Sequence, residues 1–224
     1  MEKIVISIGG SVIFAEDSGV SFLEKLGILL NDLSKQYKIF VITGGGKLAR
    51  IYIKLGRELN LDEKILDELG IETTRINAKL LANVVKVANK KIPITTEEAM
   101  GINKPIIIMG GTTPGHSTDM VGAELAEKIK ANRFIIATNV DGIYDKDPNK
   151  YNGAIQLQEV NIKDLIKKYG TRWNTAGKNI VVDGPALDII QRAKIITFVV
   201  NGKRLDQLEK AITNKQFDGT KIKI

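Results

Sequence analysis

The sequence predicts an α/β protein, a three-layer α/β/α sandwich around a mostly parallel central sheet, and three observations carry that prediction. Short apolar runs alternate with amphipathic stretches along the whole chain, the rhythm of βαβ units whose helices cover both faces of a sheet. The runs at residues 4–8, 39–43, 106–109 and 134–138 are almost continuously apolar, as strands buried on both faces must be. Three of them end in glycine, at Gly9-Gly10, Gly44-Gly45-Gly46 and Gly110-Gly111, where a strand turns tightly toward a helix.

The elements follow in order. Residues 3–8 form the first strand, and a helix is expected from Ser21, where Ser21 and Glu24 make a capping box ahead of the stripe Leu26, Leu29, Leu30 and Leu33. A second strand at 38–43 leads through the triple glycine into a helix carrying Leu48, Ile51, Tyr52 and Leu55. A longer helical region runs from about residue 62 to 90 and is stopped by Pro93. Thr95 and Glu98 cap a short helix, and Pro105 opens the strand 106–109. The next helix begins near Thr118-Asp119, with Asp119 reading equally as its N-cap or as a functional carboxylate. Strand 134–138 enters a polar loop at 139–148. A helix at 162–169 with Gly170 as C-cap, a helix at 185–193 preceded by Asp183, a strand at 195–200 and a closing helix and strand complete the chain.

With 224 residues, 43% of them hydrophobic and 26% charged, the chain can bury a sizeable core, and one continuous domain over 1–224 is the economical reading. No apolar run approaches the roughly 20 residues that span a bilayer. Met1-Glu2-Lys3 leads straight into a strand, without the basic and apolar regions of a leader peptide. A cytoplasmic protein with no membrane partner is therefore expected. The absence of Cys excludes disulfide scaffolds, thiolate zinc sites and cysteine nucleophiles, and the single His excludes a histidine-rich centre, so no resident metal site is expected. The net charge of +7 suits either nucleic acid or a phosphorylated small molecule. Lysines are spread among Asp and Glu, and the runs at 86–91 and 163–168 read as solvated helix faces, so the small molecule is favoured and nucleic acid is not expected.

In an open parallel sheet, ligands bind beyond the carboxyl ends of the strands, where helix N-termini point at them. Two glycine loops expose backbone N–H groups there, and a hydroxyl-rich third, residues 112–118, joins them. That set points to phosphate. It is not a P-loop, because Gly46-Lys47 is followed by Leu48 and Gly177-Lys178 by Asn179, where Ser or Thr would be needed. Nor does the triple glycine keep the Rossmann spacing.

Taken together, Ile8-Gly9-Gly10-Ser11, Gly44-Gly45-Gly46-Lys47-Leu48-Ala49-Arg50, Gly110-Gly111-Thr112 leading to Thr118-Asp119, and Thr138-Asn139-Val140-Asp141-Gly142-Ile143-Tyr144 with Asp147-Pro148 resemble the amino acid kinase family, and within it the uridylate kinases of archaeal type. The resemblance spans essentially the whole chain in the correct order. It implies ATP-dependent conversion of UMP to UDP in pyrimidine nucleotide biosynthesis, with Mg2+ bound mainly through nucleotide phosphates. It also implies a homo-oligomer, a hexamer built from dimers, with a helix-mediated contact in the region 65–87, a stripe that reads more simply as core. An acceptor-binding lobe would span about 1–150 and an ATP-binding lobe about 120–224.

Residue by residue, the resemblance assigns Gly45, Asp67 and the loop Thr112, Thr113, Pro114, Gly115, His116, Ser117 and Thr118 to UMP. It assigns Gly9, Gly10, Ser11, Gly46, Thr138, Asn139, Tyr144 and Asp147 to ATP, with Arg50 able to reach the phosphates of either nucleotide. Chemistry agrees: glycine loops and Arg50 suit phosphate oxygens, Asp67 suits ribose hydroxyls, Thr112 and Thr118 suit the uracil edge or the phosphate, and Tyr144 with Pro148 suits the faces of adenine. Asp183 matches the acidic residue that organises positive charge around the γ-phosphate, and Asp183, Lys47 and Arg50 are the expected catalytic residues. Many relatives carry a lysine two residues before the first glycine loop, where this chain has Ser7. Lys47 and Lys178 are the candidate substitutes, with Lys47 preferred. His116 is read as a loop residue near UMP and not as a base. Other acceptors of the same fold, isopentenyl phosphate or N-acetylglutamate, and a non-catalytic nucleotide sensor are the alternatives.

Overall fold

The first strand shows why a sheet forms at the centre: Ile4, Val5, Ile6 and Ile8 are all buried, on both faces of the pleat. A computed structural model describes residues 1–14, 19–148, 150–171 and 181–224. In chain order the elements are β1 (Glu2–Ile8), α1 (Gly10–Ile13), α2 (Gly19–Leu33), β2 (Tyr37–Thr43), α3 (Gly46–Glu58), α4 (Glu63–Val84), α5 (Thr96–Gly101), β3 (Ile106–Met109), α6 (Thr118–Ile129) and β4 (Arg133–Thr138). Then come β5 (Ile143–Tyr144), β6 (Gln156–Leu157), β7 (Glu159–Asn161), α7 (Ile162–Tyr169), α8 (Gly184–Ala193), β8 (Thr197–Asn201), α9 (Leu205–Ile212) and β9 (Gly219–Lys223).

The main sheet runs β3-β2-β1-β4-β8-β9-β7. All its pairs are parallel except β8 with β9. Alternate residues of one strand serve opposite cores. Ile4, Ile6 and Ile8 pack with Leu26, Leu30, Leu81 and Leu208 of α2, α4 and α9. Val5 packs with Val121, Leu125, Leu187 and Ile190 of α6 and α8. That is the three-layer sandwich expected from the apolar runs. Each fully buried Ile or Leu contributes about 1.5–3 kcal/mol, so the two clusters dominate stability.

Register places the functional edge. Ile8 pairs with Thr43 and Ala137, Ile42 with Met109, and Thr138 with Asn201, so five strands end side by side. The chain winds outward from β1 to β2 to β3 and then returns to β4 on the other side of β1. The strand order thus reverses between β1 and β4, the crevice where open α/β sheets take ligands.

Several boundaries differ from the sequence expectation. α2 already runs at Gly19, so Ser21 lies inside the helix and makes no capping box; the packed stripe sets the helix length in place of the polar signal. α4 starts as expected, with the Asp62 carboxylate accepting from Ile65 N at 2.9 Å, but ends at Val84 and not near residue 90. The chain is drawn onto the sheet edge there: Asn89 grips both the N–H and the carbonyl of Ile108 and Ala88 bridges Ile106. Asp119 does not cap α6, because the Ser117 hydroxyl accepts from Met120 N and takes that place. β8 starts at Thr197, two residues later than expected. The polar stretch after β4 contains a short strand, β5, which pairs with β6 beyond it. Of the stripe at 65–87, Leu66, Ile71, Ala78, Leu81 and Val85 are core, while Ile65, Ile76 and Leu80 are exposed. Lys178 and Gly177 lie outside the described residues.

Candidate active site

At the β1 and β2 ends the two glycine loops touch through bare backbone. A Cβ on Gly10 would lie 2.2 Å from Gly46 N, and one on Gly44 would lie 2.5 Å from Gly10 N. Gly46 also has φ +65°, a conformation that side chains resist. Gly9 N donates to Ala137 O at 2.9 Å and Gly44 N to Ile8 O at 2.8 Å, tying both loops to the sheet. Glycine here serves contact between loops and, in the same stroke, leaves N–H groups uncovered by side chains. Ser11 is half-buried beside them, and Lys47 and Arg50 stand exposed on the first turns of α3.

A polar face of α4 holds the loop after β3. The Thr74 hydroxyl accepts from Gly111 N at 2.6 Å, Arg75 donates from Nη2 to Thr112 O at 3.0 Å and from Nε to Gly111 O at 3.3 Å, and Asn77 donates to Gly44 O at 2.7 Å. Gly45 sits tightly against Thr73, whose Oγ1 lies 2.7 Å from a Cβ added there. Asp67 joins the same group, its carboxylate accepting from Gly115 N at 2.8 Å. Thr73, Thr74, Arg75 and Asn77 were not among the expected residues. The signal was present: Thr73, Thr74 and Asn77 are polar residues buried next to the core residues Ile71 and Ala78 of the same helix.

Between β1, α6 and α8 lies a cluster of carboxylates. Ser7, 2% exposed within the otherwise apolar buried stretch of β1, donates its hydroxyl to Asp119 Oδ1 at 2.6 Å. Asp183 caps α8 by accepting from Ala186 N at 2.8 Å, and its other oxygen accepts from the Ser117 hydroxyl. Asp183 thus fills the cap position and also faces the 112–118 loop. His116 Nδ1 lies 3.6 Å from Glu124 Oε1 and has no hydrogen-bond partner among the described residues. Burial and then the Asp183 charge push the Asp119 carboxyl up to about 7, against the pull of the Ser7 hydrogen bond. Burial also raises Asp183, opposed by its bonds from Ser117 and Ala186 N and by His116. Both carboxylates are half-buried in surface terms: they lie deep in the protein yet open onto the crevice.

On the other flank, Thr138 and Asn139 end β4 and Tyr144 belongs to β5. Burial, then Asp141 and Asp218, raise the Tyr144 phenol. A network unseen in the sequence braces this flank: Asn201 Nδ2 donates to Asp141 Oδ1 at 3.0 Å, Arg204 Nη1 to Asp218 Oδ2 at 2.5 Å, and Gln156 Nε2 to Asp141 O at 2.9 Å. Asp147 is exposed in the loop beyond. The structure therefore gathers the two glycine loops, joins Asp67 to the 112–118 loop and Asp183 to Ser117, and leaves Tyr144 on a separate small sheet and Asp147 in the loop beyond it. A cavity of about 480 Å3 between α2 and α9, lined by Lys25, Ile28 and Leu205 among others, lies away from these residues.

A glycine cradle, a fastened hydroxyl loop and a carboxylate pair at a switch point define a phosphate-handling enzyme of the open α/β class. Residues 2–201 match the model of the amino acid kinase family. The chain is 43% identical to the uridylate kinase of Methanobrevibacter smithii over 223 residues, 98% of each chain, and 42% identical to that of Archaeoglobus fulgidus over 202 residues, 89% of this chain and 91% of the relative. The crystal structure of the Archaeoglobus fulgidus uridylate kinase superposes with a TM-score of 0.86 at 38% identity, covering all of both chains. The chain belongs to the amino acid kinase family.

Proposed function

We propose that this chain is an ATP-dependent UMP kinase, and the observation that carries the acceptor is its full-length likeness to archaeal uridylate kinases. An oxygen of the UMP phosphate attacks the γ-phosphorus of ATP, the bond from that phosphorus to the β,γ-bridging oxygen breaks, and ADP leaves with the electron pair. The attacking oxygen is already ionised near neutrality, so the protein's work is in-line positioning and charge stabilisation rather than proton abstraction. His116 is accordingly assigned to holding UMP.

The cradle fits the group it would hold. Cβ atoms on Gly10, Gly44 or Gly46 would strike neighbouring backbone within 2.8 Å, so only glycine allows the loops to meet and leaves their N–H groups open to phosphate. Gly9, Gly10, Ser11, Gly46, Thr138, Asn139, Tyr144 and Asp147 are assigned to ATP, and Gly45, Asp67 and the 112–118 loop to UMP. Lys47 and Arg50, on the first turns of α3, are assigned to the phosphates, and Asp183 to organising charge around them. Magnesium would be held through the nucleotide phosphates and would neutralise their charge; no protein side chain is assigned to it. The exposed face Leu48, Ile51, Tyr52 and Leu55 of α3, with Ile65, Ile76 and Leu80 of α4, supports assembly into a hexamer of dimers. The protein is assigned to the cytoplasm and to pyrimidine nucleotide synthesis.

The test is ADP release from Mg-ATP with UMP, CMP, AMP, GMP, isopentenyl phosphate and N-acetylglutamate offered in parallel. Turnover with UMP far above the rest is expected. Turnover with a different acceptor would overturn the substrate, and none with any acceptor would favour a nucleotide sensor.

A further inference from the structure

We infer that Ser7 is a positioning residue for phosphoryl transfer: its buried hydroxyl holds the Asp119 carboxylate ionised and fixed beside Asp183 at the ends of the strands. The inference rests on the kinase reading above and adds to it a residue without any expected role.

Three observations support it. Ser7 is the single polar side chain within the buried stretch of β1, and its hydroxyl spends itself on Asp119 at 2.6 Å, the short length of a bond to a charged acceptor. Asp119 has no part in building its helix, since Ser117 caps α6, and among the described residues Ser7 is the side chain that hydrogen-bonds it. The approach is built in: a Cβ on Gly122 would strike the Phe134 ring at 2.7 Å and stand 3.7 Å from Ser7 Cβ. α6 therefore closes onto β1 at a glycine, and Asp119, one turn earlier, meets the strand at Ser7.

The surroundings make that one hydrogen bond consequential. α8 presents Asp183, the loop before α6 presents His116 and Ser117, and the next turn of α6 presents Glu124, which lies against His116. The C-terminal halves of β2 and β4 carry no ionisable residue. Glu97 of α5 is engaged at the far end of α6 with Lys128, and Arg192 of α8 with Glu127 and Asp188. Burial and Asp183 both favour the protonated form of Asp119, and the Ser7 hydroxyl favours the charged one. An ionised carboxylate pair beside a phosphate site works by orienting the basic side chains that neutralise the phosphates, and that work stops when a proton arrives.

The experiment compares pH profiles of kcat for wild type, Ser7→Ala and Ser7→Thr with UMP and Mg-ATP, alongside carbon-13 NMR titration of the Asp119 carboxyl in the free proteins. For Ser7→Ala, the acid limb of kcat and the Asp119 midpoint both move up by about one pH unit, costing about fivefold in kcat near pH 7, about tenfold well below it and little at pH 9. KM for UMP and ATP stays within about twofold, and Ser7→Thr, which keeps the hydroxyl, restores the wild-type profile. An unmoved profile, or a loss of equal size at every pH, would overturn the inference, as would an unmoved carboxyl midpoint. A wild-type chain that phosphorylates no acceptor defeats the kinase reading instead; the carboxyl titration does not depend on turnover and still decides whether Ser7 governs Asp119.

Discussion

The glycine cradle and the carboxylate cluster stand at adjacent strand ends and are built on opposite principles. The cradle is steric: backbone meets backbone with no room for a methyl group, and nothing in it titrates. The cluster is electrostatic: its groups come from β1, α6, α8 and the loop between β3 and α6, and their charge depends on one another. A phosphate site needs both, one to shape the anion's seat and one to set the charge around it. The difference teaches that the two halves should fail differently, the cradle at every pH and the cluster only across a titration.

The largest effect is expected in the cradle. Gly10→Ala places a Cβ 2.2 Å from Gly46 N, a contact that only backbone movement can relieve. We expect stability to fall by about 1–3 kcal/mol and turnover by more than about a hundredfold. Thermal melting and the ADP-release assay check both, and the loss should be the same at pH 6 and pH 9. A loss that recovered at one end of that range would break the distinction between the two regions.

Asp119→Asn comes next and separates activity from stability. The carboxyl is raised from 3.8 to about 7 in the folded protein, so between those values the folded state holds a proton that the unfolded state has released. The stability of the wild type therefore declines as pH rises from about 4 to 7, by at most about 4 kcal/mol, and stays low above that. The amide carries no such cost. The variant should match wild type near pH 4, melt at a higher temperature at pH 8, and turn over about a hundredfold more slowly at pH 8. Equal melting temperatures at pH 8 would mean that the buried charge costs nothing.

The same contrast explains what could be read in the sequence. Gly9-Gly10, Gly44-Gly45-Gly46 and Gly110-Gly111 announce themselves because a steric demand is met by one residue type at one place in the chain. The strands were legible for a similar reason, since burial on both faces demands the apolar runs. Ser7 and Asp119 are 112 residues apart, and neither residue type marks the other. Asp141 and Asn201, 60 apart, form a brace that exists only once β4 and β8 lie side by side. Asp119 read as a plausible helix cap because its local sequence allows one; tertiary packing gave that work to Ser117 and released Asp119 for the crevice.

Between the two extremes lies the 112–118 loop, assigned above to UMP, fastened by side chains yet independent of the carboxylate titration. Arg75 spans it, donating to the carbonyls of Gly111 and Thr112 while its remaining nitrogen pairs with Glu72 at 2.7 Å. Hydrogen bonds from a charged group contribute about 1.5–3 kcal/mol, more than neutral ones, and here they restrain a loop rather than a core. Arg75→Ala should therefore lower the melting temperature by a few degrees at most, since a loop and not the core is released, and raise KM for UMP about tenfold, with KM for ATP within about twofold. Because no titrating group joins Arg75 to Asp119, its acid limb of kcat should overlay that of wild type. A shift of that limb would show that the loop and the carboxylates act as one unit, with Ser117 as the link, since it ends the loop, caps α6 and bonds Asp183.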